Sequence, residues 1–240
     1  VTLKQRIGKI IFKSMPISRH VFDHVRLELN AVTVRLLHKF HPVYLYKLSQ
    51  LKRKTNLLVN IGCGPYGLDK DWINLDLYPL KNVYLRSDCR KQLPLSPNSC
   101  SGIHVEMFLE HLDPIDELPF FLTSCYHALQ QNGILRIIVP DAEKFIRAYM
   151  ASEWNALNKI SYGLEDWSTI FSSKMEALNH VFLQGYEHFG GWDKDRLYNV
   201  LSKSGFASIR FVEFGIGDFP NGPIDREYHR VNGLYVEAKK

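Results

Sequence analysis

Five short polar clusters in this chain carry groups that could bind a ligand or move a proton. The first is Asn60-Ile61-Gly62-Cys63-Gly64-Pro65-Tyr66-Gly67, a glycine-rich turn directly after the apolar run Leu57-Leu58-Val59. Glycine in such a turn lets the backbone approach a ligand more closely than any residue with a Cβ. The next two are acids near the ends of further apolar runs: Asp76, closing Trp72-Ile73-Asn74-Leu75-Asp76, and Asp88 in Arg86-Ser87-Asp88-Cys89-Arg90. A carboxylate so placed can accept hydrogen bonds from a diol or an amino group. The last two hold groups suited to proton transfer: Glu110-His111, and His188 within Gly185-Tyr186-Glu187-His188-Phe189-Gly190-Gly191. Histidines and carboxylates are the usual general bases near neutral pH.

The glycine turn satisfies G-x-G-x-x-G, so a dinucleotide site is weighed first. That site needs a helix directly after the turn, whose N-terminus takes the pyrophosphate. Here Pro65 and Gly67 leave only a few residues before the next apolar run. Asp76 follows Gly64 by twelve positions, whereas the dinucleotide pattern places its acid about twenty further on. A ligand without pyrophosphate fits better. S-adenosylmethionine needs a tight backbone at its amino-acid part, an acid for the ribose hydroxyls (Asp76) and an acceptor for the adenine amine (Asp88).

The elements that must position these groups follow from patterning. The runs 57–61, 72–76, 82–85, 102–105 and 134–139 read as strands, with helix-compatible segments at 115–130, 141–150 and 193–204. Strand and helix in alternation predict a parallel sheet with helices on both faces. Asp141 and Asp193 are expected N-caps, and Gly205 a helix-ending glycine. Runs 209–214 and 234–238 close the sheet, with a loop rich in glycine, proline and charge between them. Residues 151–190 form a helical, aromatic insertion expected to shape a second pocket.

Ahead of the sheet, Val21, Val25, Leu29, Val32, Leu36 and Phe40 recur at helical spacing. Ser18 is the expected N-cap and Pro42 the stop, and the stripe is expected to pack as a cap near the mouth of the site. Residues 1–54 hold twelve basic residues against Asp23 and Glu28, about +10, leaving about −5 for the rest of a chain whose net charge is +5. A basic arm on an acidic body suits an anionic partner such as a membrane surface, whereas no nucleic-acid module accompanies it. No uninterrupted apolar run reaches the roughly 18 residues of a membrane span. Lys4, Arg6, Lys9 and Lys13 break any secretory pattern, and the four cysteines are spaced neither for disulfides nor for zinc. Together these predict a cytoplasmic protein, peripheral to a membrane at most.

The ordered set Asn60-Ile61-Gly62-Cys63-Gly64-Pro65, Trp72-Ile73-Asn74-Leu75-Asp76, Leu93-Pro94-Leu95, Phe108-Leu109-Glu110-His111-Leu112 and 132–141 resembles class I S-adenosylmethionine-dependent methyltransferases of the methyltransferase-11 type. More narrowly it resembles a bacterial subgroup associated with cell-surface polysaccharide and other glycan biosynthesis, whose final strand is similar to 232–239. The resemblance implies an α/β, Rossmann-like seven-stranded methyltransferase domain over 56–240, preceded by a basic helical extension over 1–55. It implies S-adenosylmethionine as cofactor, with Gly62 and Gly64 near its methionine part and Asn60, Cys63 and Leu77 among the cofactor-binding residues. Asp76 would take the ribose, and Asp88 with Cys89 would flank the adenine, while Glu106 would contact the cofactor or occlude part of its pocket. The expected reaction is O-methylation of a sugar, glycan or other small molecule, with His188, His111 and Glu110 as catalytic candidates. Arg226, Tyr228, His229 and Arg230 are candidates for meeting an anionic or sugar substrate. A divalent-ion site from Glu106, Glu110 and His111 lacks diagnostic spacing, and no metal is expected. The rivals are an NAD-dependent oxidoreductase and a catalytically degenerate methyltransferase fold serving as a binding module at a membrane.

Overall fold

The computed structural model describes residues 18–68, 71–151 and 153–240. The basic residues Lys4, Arg6, Lys9 and Lys13 lie outside them. Two helices open the described chain, α1 (Arg19–Phe40) and α2 (Pro42–Lys52). Ser18 caps α1, its Oγ accepting from the Val21 amide. Pro42 does not end the helical region. It starts α2, where its missing N–H and fixed φ suit the first helical position.

The strands are β1 (Leu57–Ile61), β2 (Trp72–Asp76), β3 (Leu85–Arg86), β4 (Cys100–Glu106), β5 (Leu129–Pro140), β6 (Ser208–Val212) and β7 (Gly233–Lys239). They form one sheet in the order β3-β2-β1-β4-β5-β7-β6, with β7 antiparallel to both neighbours. This is the expected seven-stranded, Rossmann-like methyltransferase fold. The order reverses at β1, so a crevice opens beyond the carboxyl ends of β1 and β4, the usual ligand position in such sheets. The strand expected at 82–85 is shorter and later. Asn82 turns the chain at φ 68 and donates to the Gly67 carbonyl, which leaves only Leu85 and Arg86 to pair with β2.

The remaining helices are α3 (Glu117–Ala128), α4 (Ala142–Met150), α5 (Asn155–Asn158), α6 (Lys174–Leu183) and α7 (Lys194–Lys203). Asp141 caps α4 by accepting from the Glu143 and Lys144 amides, and Asp193 caps α7 through the Arg196 amide. Gly205 follows α7 at φ 101.

The two faces of the sheet are covered differently from the expected double helical layer. Val59, Ile61, Ile73, Leu75, Ile103, Val105, Leu135 and Ile137 pack with Leu51 of α2, Phe121 and Leu122 of α3, and Leu197 and Leu201 of α7. On the opposite face the apolar cluster is small: Leu58, Ile134 and Phe219, with Trp72 against it. Phe219 lies in the β6–β7 connection, so a loop does the covering there. Its ring stacks on Trp72 at 5.9 Å, and a Cβ on Gly102 would stand 2.7 Å from it, which is why β4 carries a glycine at that point.

Polar residues run across that same face in register. Asn74, Asn60, His104, Arg136, Glu237 and Arg210 are successive cross-strand partners on β2, β1, β4, β5, β7 and β6. Asn60 donates to Asn74 and accepts from His104 Nδ1, while Arg136 and Arg210 both donate to Glu237. Arg136 is fully buried and also forms a bidentate pair with Asp225 of the loop.

The stripe on α1 is the largest departure from expectation. Val21, Val25, Leu29, Val32, Leu36 and Phe40 are all exposed, Leu29 by 63% and Phe40 by 73%. The docked face is the one carrying Ala31, Val34 and His38, all buried. Polar latches select it: His38 Nε2 meets the Arg86 carbonyl, Arg86 donates to Asn30, Arg35 pairs with Asp88, and Arg90 bridges Glu28 and Asp88. Among the described residues no helix is long and apolar enough to cross a membrane.

Candidate active site

The glycine turn leaves β1 at the crevice. Gly62 (φ 67) and Gly64 (φ 54) both take the left-handed conformation. At Gly62 glycine is also required by packing, since a Cβ would lie 2.7 Å from the Phe108 ring. At Gly64 a Cβ would meet nothing within 4 Å, so the backbone there faces open space. Asp76, at the end of β2, is 8% exposed and braces the turn. One carboxylate oxygen accepts the Gly64 amide at 2.8 Å and the other the Tyr78 amide at 2.8 Å. Each oxygen keeps a lone pair for a further donor. No helix occurs among the described residues of the crossover, 62–68 and 71, so no helix N-terminus stands behind the turn.

Asp88 does not present a free carboxylate. Arg90 Nε reaches one oxygen at 2.9 Å, and Arg35 and Arg90 share the other. The group expected to meet an adenine amine thus ties α1 to the chain after β3. The neighbouring Cys89 is buried, as are Cys63, Cys100 and Cys125, and all four thiols are free. Burial raises the thiols of Cys63 and Cys89 to about 12, so neither is a nucleophile at neutral pH. Asn60 belongs to the cross-sheet polar row, and Leu77 offers its carbonyl to Arg86 Nε.

Glu106, at the end of β4, is buried against Arg226 from the β6–β7 loop. Arg226 Nε donates to it at 2.7 Å and the Arg226 amide at 3.3 Å. Burial raises the Glu106 carboxyl, and Arg226 opposes that shift. The Arg226 guanidinium also lies 4.9 Å from the Tyr66 ring centroid, so one side chain joins the β6–β7 loop to the glycine turn. Arg226 is thus held by Glu106 through Nε and its backbone amide, with its side chain part-exposed. Arg230 lies over Phe214 and pairs with Glu227.

Beyond β4 the chain passes through Met107, which holds φ 52, into a 3-10 turn over Leu109–His111. This turn is stitched to the end of the insertion. The Phe189 amide donates to the Glu110 carbonyl at 2.8 Å, and His111 Nδ1 meets the Glu187 carbonyl at 3.1 Å. His188 Nδ1 meets the Val181 carbonyl at 2.8 Å. A carbonyl only accepts, so both Nδ1 atoms carry the proton and both Nε2 atoms present a lone pair. The two imidazole rings stand edge to face, 4.6 Å apart. Burial lowers His111 and takes His188 down to about 4, so both are neutral at physiological pH. Glu110 is 2% exposed, neither carboxylate oxygen has a partner, and burial pushes its carboxyl up to about 8.

Glu110, His111 and His188 line a cavity of about 520 Å³. Met107, Tyr162, Glu165, Trp167, Ile170, Phe171, His180, Gln184, Tyr228 and His229 complete it. Most of these come from the insertion, whose Leu157, Trp167, Ala177 and Val181 pack with Phe145 of α4. The contributions of Tyr162, Trp167 and His180 were not singled out from sequence. The only signal was the density of aromatic and histidine residues across 151–190. The volume falls within the range of small-molecule sites, and aromatic walls with a few polar groups are their usual lining.

No protein-family model matches the chain, and no curated protein sequence matches it. Solved structures with a similar fold include an S-adenosylmethionine-dependent methyltransferase of Thermotoga maritima, 18% identical, covering 92% of this chain and 97% of its own, with a TM-score of 0.45. Another, from Mesorhizobium loti, is 16% identical over 82% of this chain and 97% of its own, with a TM-score of 0.46. The 1,6-didemethyltoxoflavin-N1-methyltransferase of Burkholderia thailandensis, crystallised with S-adenosylhomocysteine, is 11% identical over 95% of this chain and 92% of its own, with a TM-score of 0.44.

Proposed function

We propose that this chain is an S-adenosylmethionine-dependent methyltransferase acting on an oxygen of a sugar, a glycan or a related small molecule. The observation that carries the reading is Asp76, buried at the crevice and braced on the Gly64 amide, with lone pairs to spare. That donor set fits the cofactor: a diol would find two acceptor oxygens on Asp76, and the open backbone at Gly64 would admit the amino-acid part. Among its described residues the crossover after the turn holds no helix for a pyrophosphate, which argues against the oxidoreductase reading.

When bound, S-adenosylmethionine supplies an electrophilic methyl group. The chain has to orient the acceptor, keep water away and hold a proton acceptor near the attacking oxygen. Tyr162, Trp167, Phe171 and Tyr228 give flat walls on which a sugar ring can rest. Glu110, His111 and His188 are polar groups on the wall that would face the acceptor hydroxyl. Arg226, held by Glu106, ties the β6–β7 loop to the end of β4.

The exposed stripe on α1, on the basic side of the chain, supports a further part of the reading: peripheral contact with an anionic membrane. Its apolar row would enter the interface while the cations meet lipid headgroups.

Calorimetric titration tests the central claim. The protein should bind S-adenosylhomocysteine and not NAD. Asp76→Ala should weaken that binding about 100-fold or more, since hydrogen bonds to a charged group contribute about 1.5–3 kcal/mol each. Binding of NAD alone, or unchanged affinity in Asp76→Ala, overturns it.

A further inference from the structure

The Glu110 carboxylate is nine-tenths buried or more, lines the cavity, and has no hydrogen-bond partner on either oxygen. Buried carboxylates in folded proteins are almost always hydrogen-bonded or paired, and an orphan one points to a missing partner. Two neighbouring imidazoles have their Nδ1 protons engaged elsewhere. His111 and His188 donate from Nδ1 to the Glu187 and Val181 carbonyls. Backbone carbonyls commonly fix metal-binding histidines in this way, leaving Nε2 as the ligand atom. One donor atom from each of Glu110, His111 and His188 lies within 4.8 Å of the others.

We propose that Glu110, His111 and His188 bind one divalent transition-metal ion through a carboxylate oxygen and the two Nε2 atoms. Two imidazoles among three donors favour an ion such as Zn²⁺, Fe²⁺ or Ni²⁺ over Mg²⁺ or Ca²⁺, which prefer oxygen ligands. Bonds of about 2.1 Å bring such donors to roughly 3.0–3.5 Å from one another, so binding draws the three side chains together. Three protein ligands leave coordination positions free, and the cavity is where they open. Glu106 is not part of the set, since Arg226 holds both of its oxygens.

The consequence for the reaction rests on the proposed methyl transfer; the ion site itself does not. An acceptor hydroxyl coordinated to the ion gives up its proton to water at a lower pH than a free alcohol. Its oxygen then forms the new O–CH₃ bond as the C–S⁺ bond of the sulfonium breaks and the electron pair returns to sulfur. Charge and atoms balance: a cationic sulfonium and a neutral alcohol give a neutral thioether, a methyl ether and one proton.

The experiment uses the full, untagged chain stripped with a chelator and titrated with Co²⁺, whose visible absorption reports coordination, with Zn²⁺ as competitor. The expected result is one equivalent of Co²⁺, displaced by one of Zn²⁺, with affinity lowered about 100-fold or more in Glu110→Gln and in His188→Asn. Thermal melts check that the variants fold, and His111→Asn provides a second imidazole substitution should His188→Asn not fold. His180→Ala, on the same cavity wall outside the cluster, should keep its affinity within about twofold. Absence of stoichiometric binding in the wild type overturns the proposal, as does an equal loss in His180→Ala. S-adenosylhomocysteine titration of the same samples separates the two claims. Nucleoside binding without Co²⁺ removes only the ion site, and Co²⁺ binding without nucleoside removes only the methyltransferase reading.

Discussion

Asp225→Ala removes one carboxylate from a fully buried ion pair with Arg136. Arg136 has no exposed surface, and its Nε and Nη2 both donate to Asp225, while Nη1 is shared by Glu237 and the Ile216 carbonyl. The substitution leaves two guanidinium donors without partners in the interior and frees the Gly215 amide, which also donates to Asp225. Breaking a buried ion pair from one side costs about 3–5 kcal/mol, mostly the penalty of the stranded charge. For a chain of this size each kcal/mol shifts the melting temperature by about 2–4 °C, so the variant should melt on the order of 10 °C lower. Urea titration should show a lower midpoint with unchanged slope, the mark of a stability change without a change of mechanism. The decisive comparison is Arg136→Met with Asp225→Leu, which removes the charge along with its partner. Glu237 then keeps the Asp218 and Phe219 amides and Arg210, so the double variant should recover most of the loss. A single variant within about 1 kcal/mol of wild type, or a double variant no better than the single, would refute the reasoning.

Two further perturbations address the loop and the α1 face. Arg226→Ala strands the buried Glu106, whose carboxyl burial already raises and Arg226 holds down. A raised carboxyl contributes a penalty that is absent below the unfolded pKa and grows as pH rises toward the folded one, so the variant should lose more stability at pH 8 than at pH 5. Melts across that range check it, and a pH-independent loss would contradict the assignment. Leu29→Glu with Leu36→Glu places two charges on the exposed stripe and should cut co-sedimentation with phosphatidylglycerol vesicles by about tenfold or more. Equal sedimentation of variant and wild type would end the membrane reading, and dimer loss on sizing columns would reassign the stripe to a second copy of the chain.

How much of this was legible in the sequence depends on how local each determinant is. Ser18, Asp141 and Asp193 cap helices through amides two or three residues away, so their roles are written in adjacent positions. The contact between the glycine turn and Asp76 spans one short crossover, so their closeness was legible together. The ion pairs of Asp88 were not, because Arg35 reaches it only when α1 docks. The α1 stripe was misread for a related reason. Helical periodicity identifies an apolar face but not which face is docked, and here Asn30, Arg35 and His38 outweigh six aliphatic and aromatic side chains. Glu110 and His188 converge where segments nearly 80 residues apart are stitched by the Phe189 amide on the Glu110 carbonyl and His111 Nδ1 on the Glu187 carbonyl, contacts that no spacing rule anticipates.

The polar row across the sheet bears on how the chain finds its alignment. Asn74, Asn60, His104, Arg136, Glu237 and Arg210 lie on one face of successive strands, and only the native pairing sets them side by side. Side chains alternate between faces, so sliding β5 by one residue would drive Arg136 into the layer occupied by Phe121 and Leu122. A hydrophobic-only sheet would tolerate several misalignments at small cost. In this one the row acts as a proofreading line, making a mispaired strand carry a charge into oil and return to solution before the fold can close.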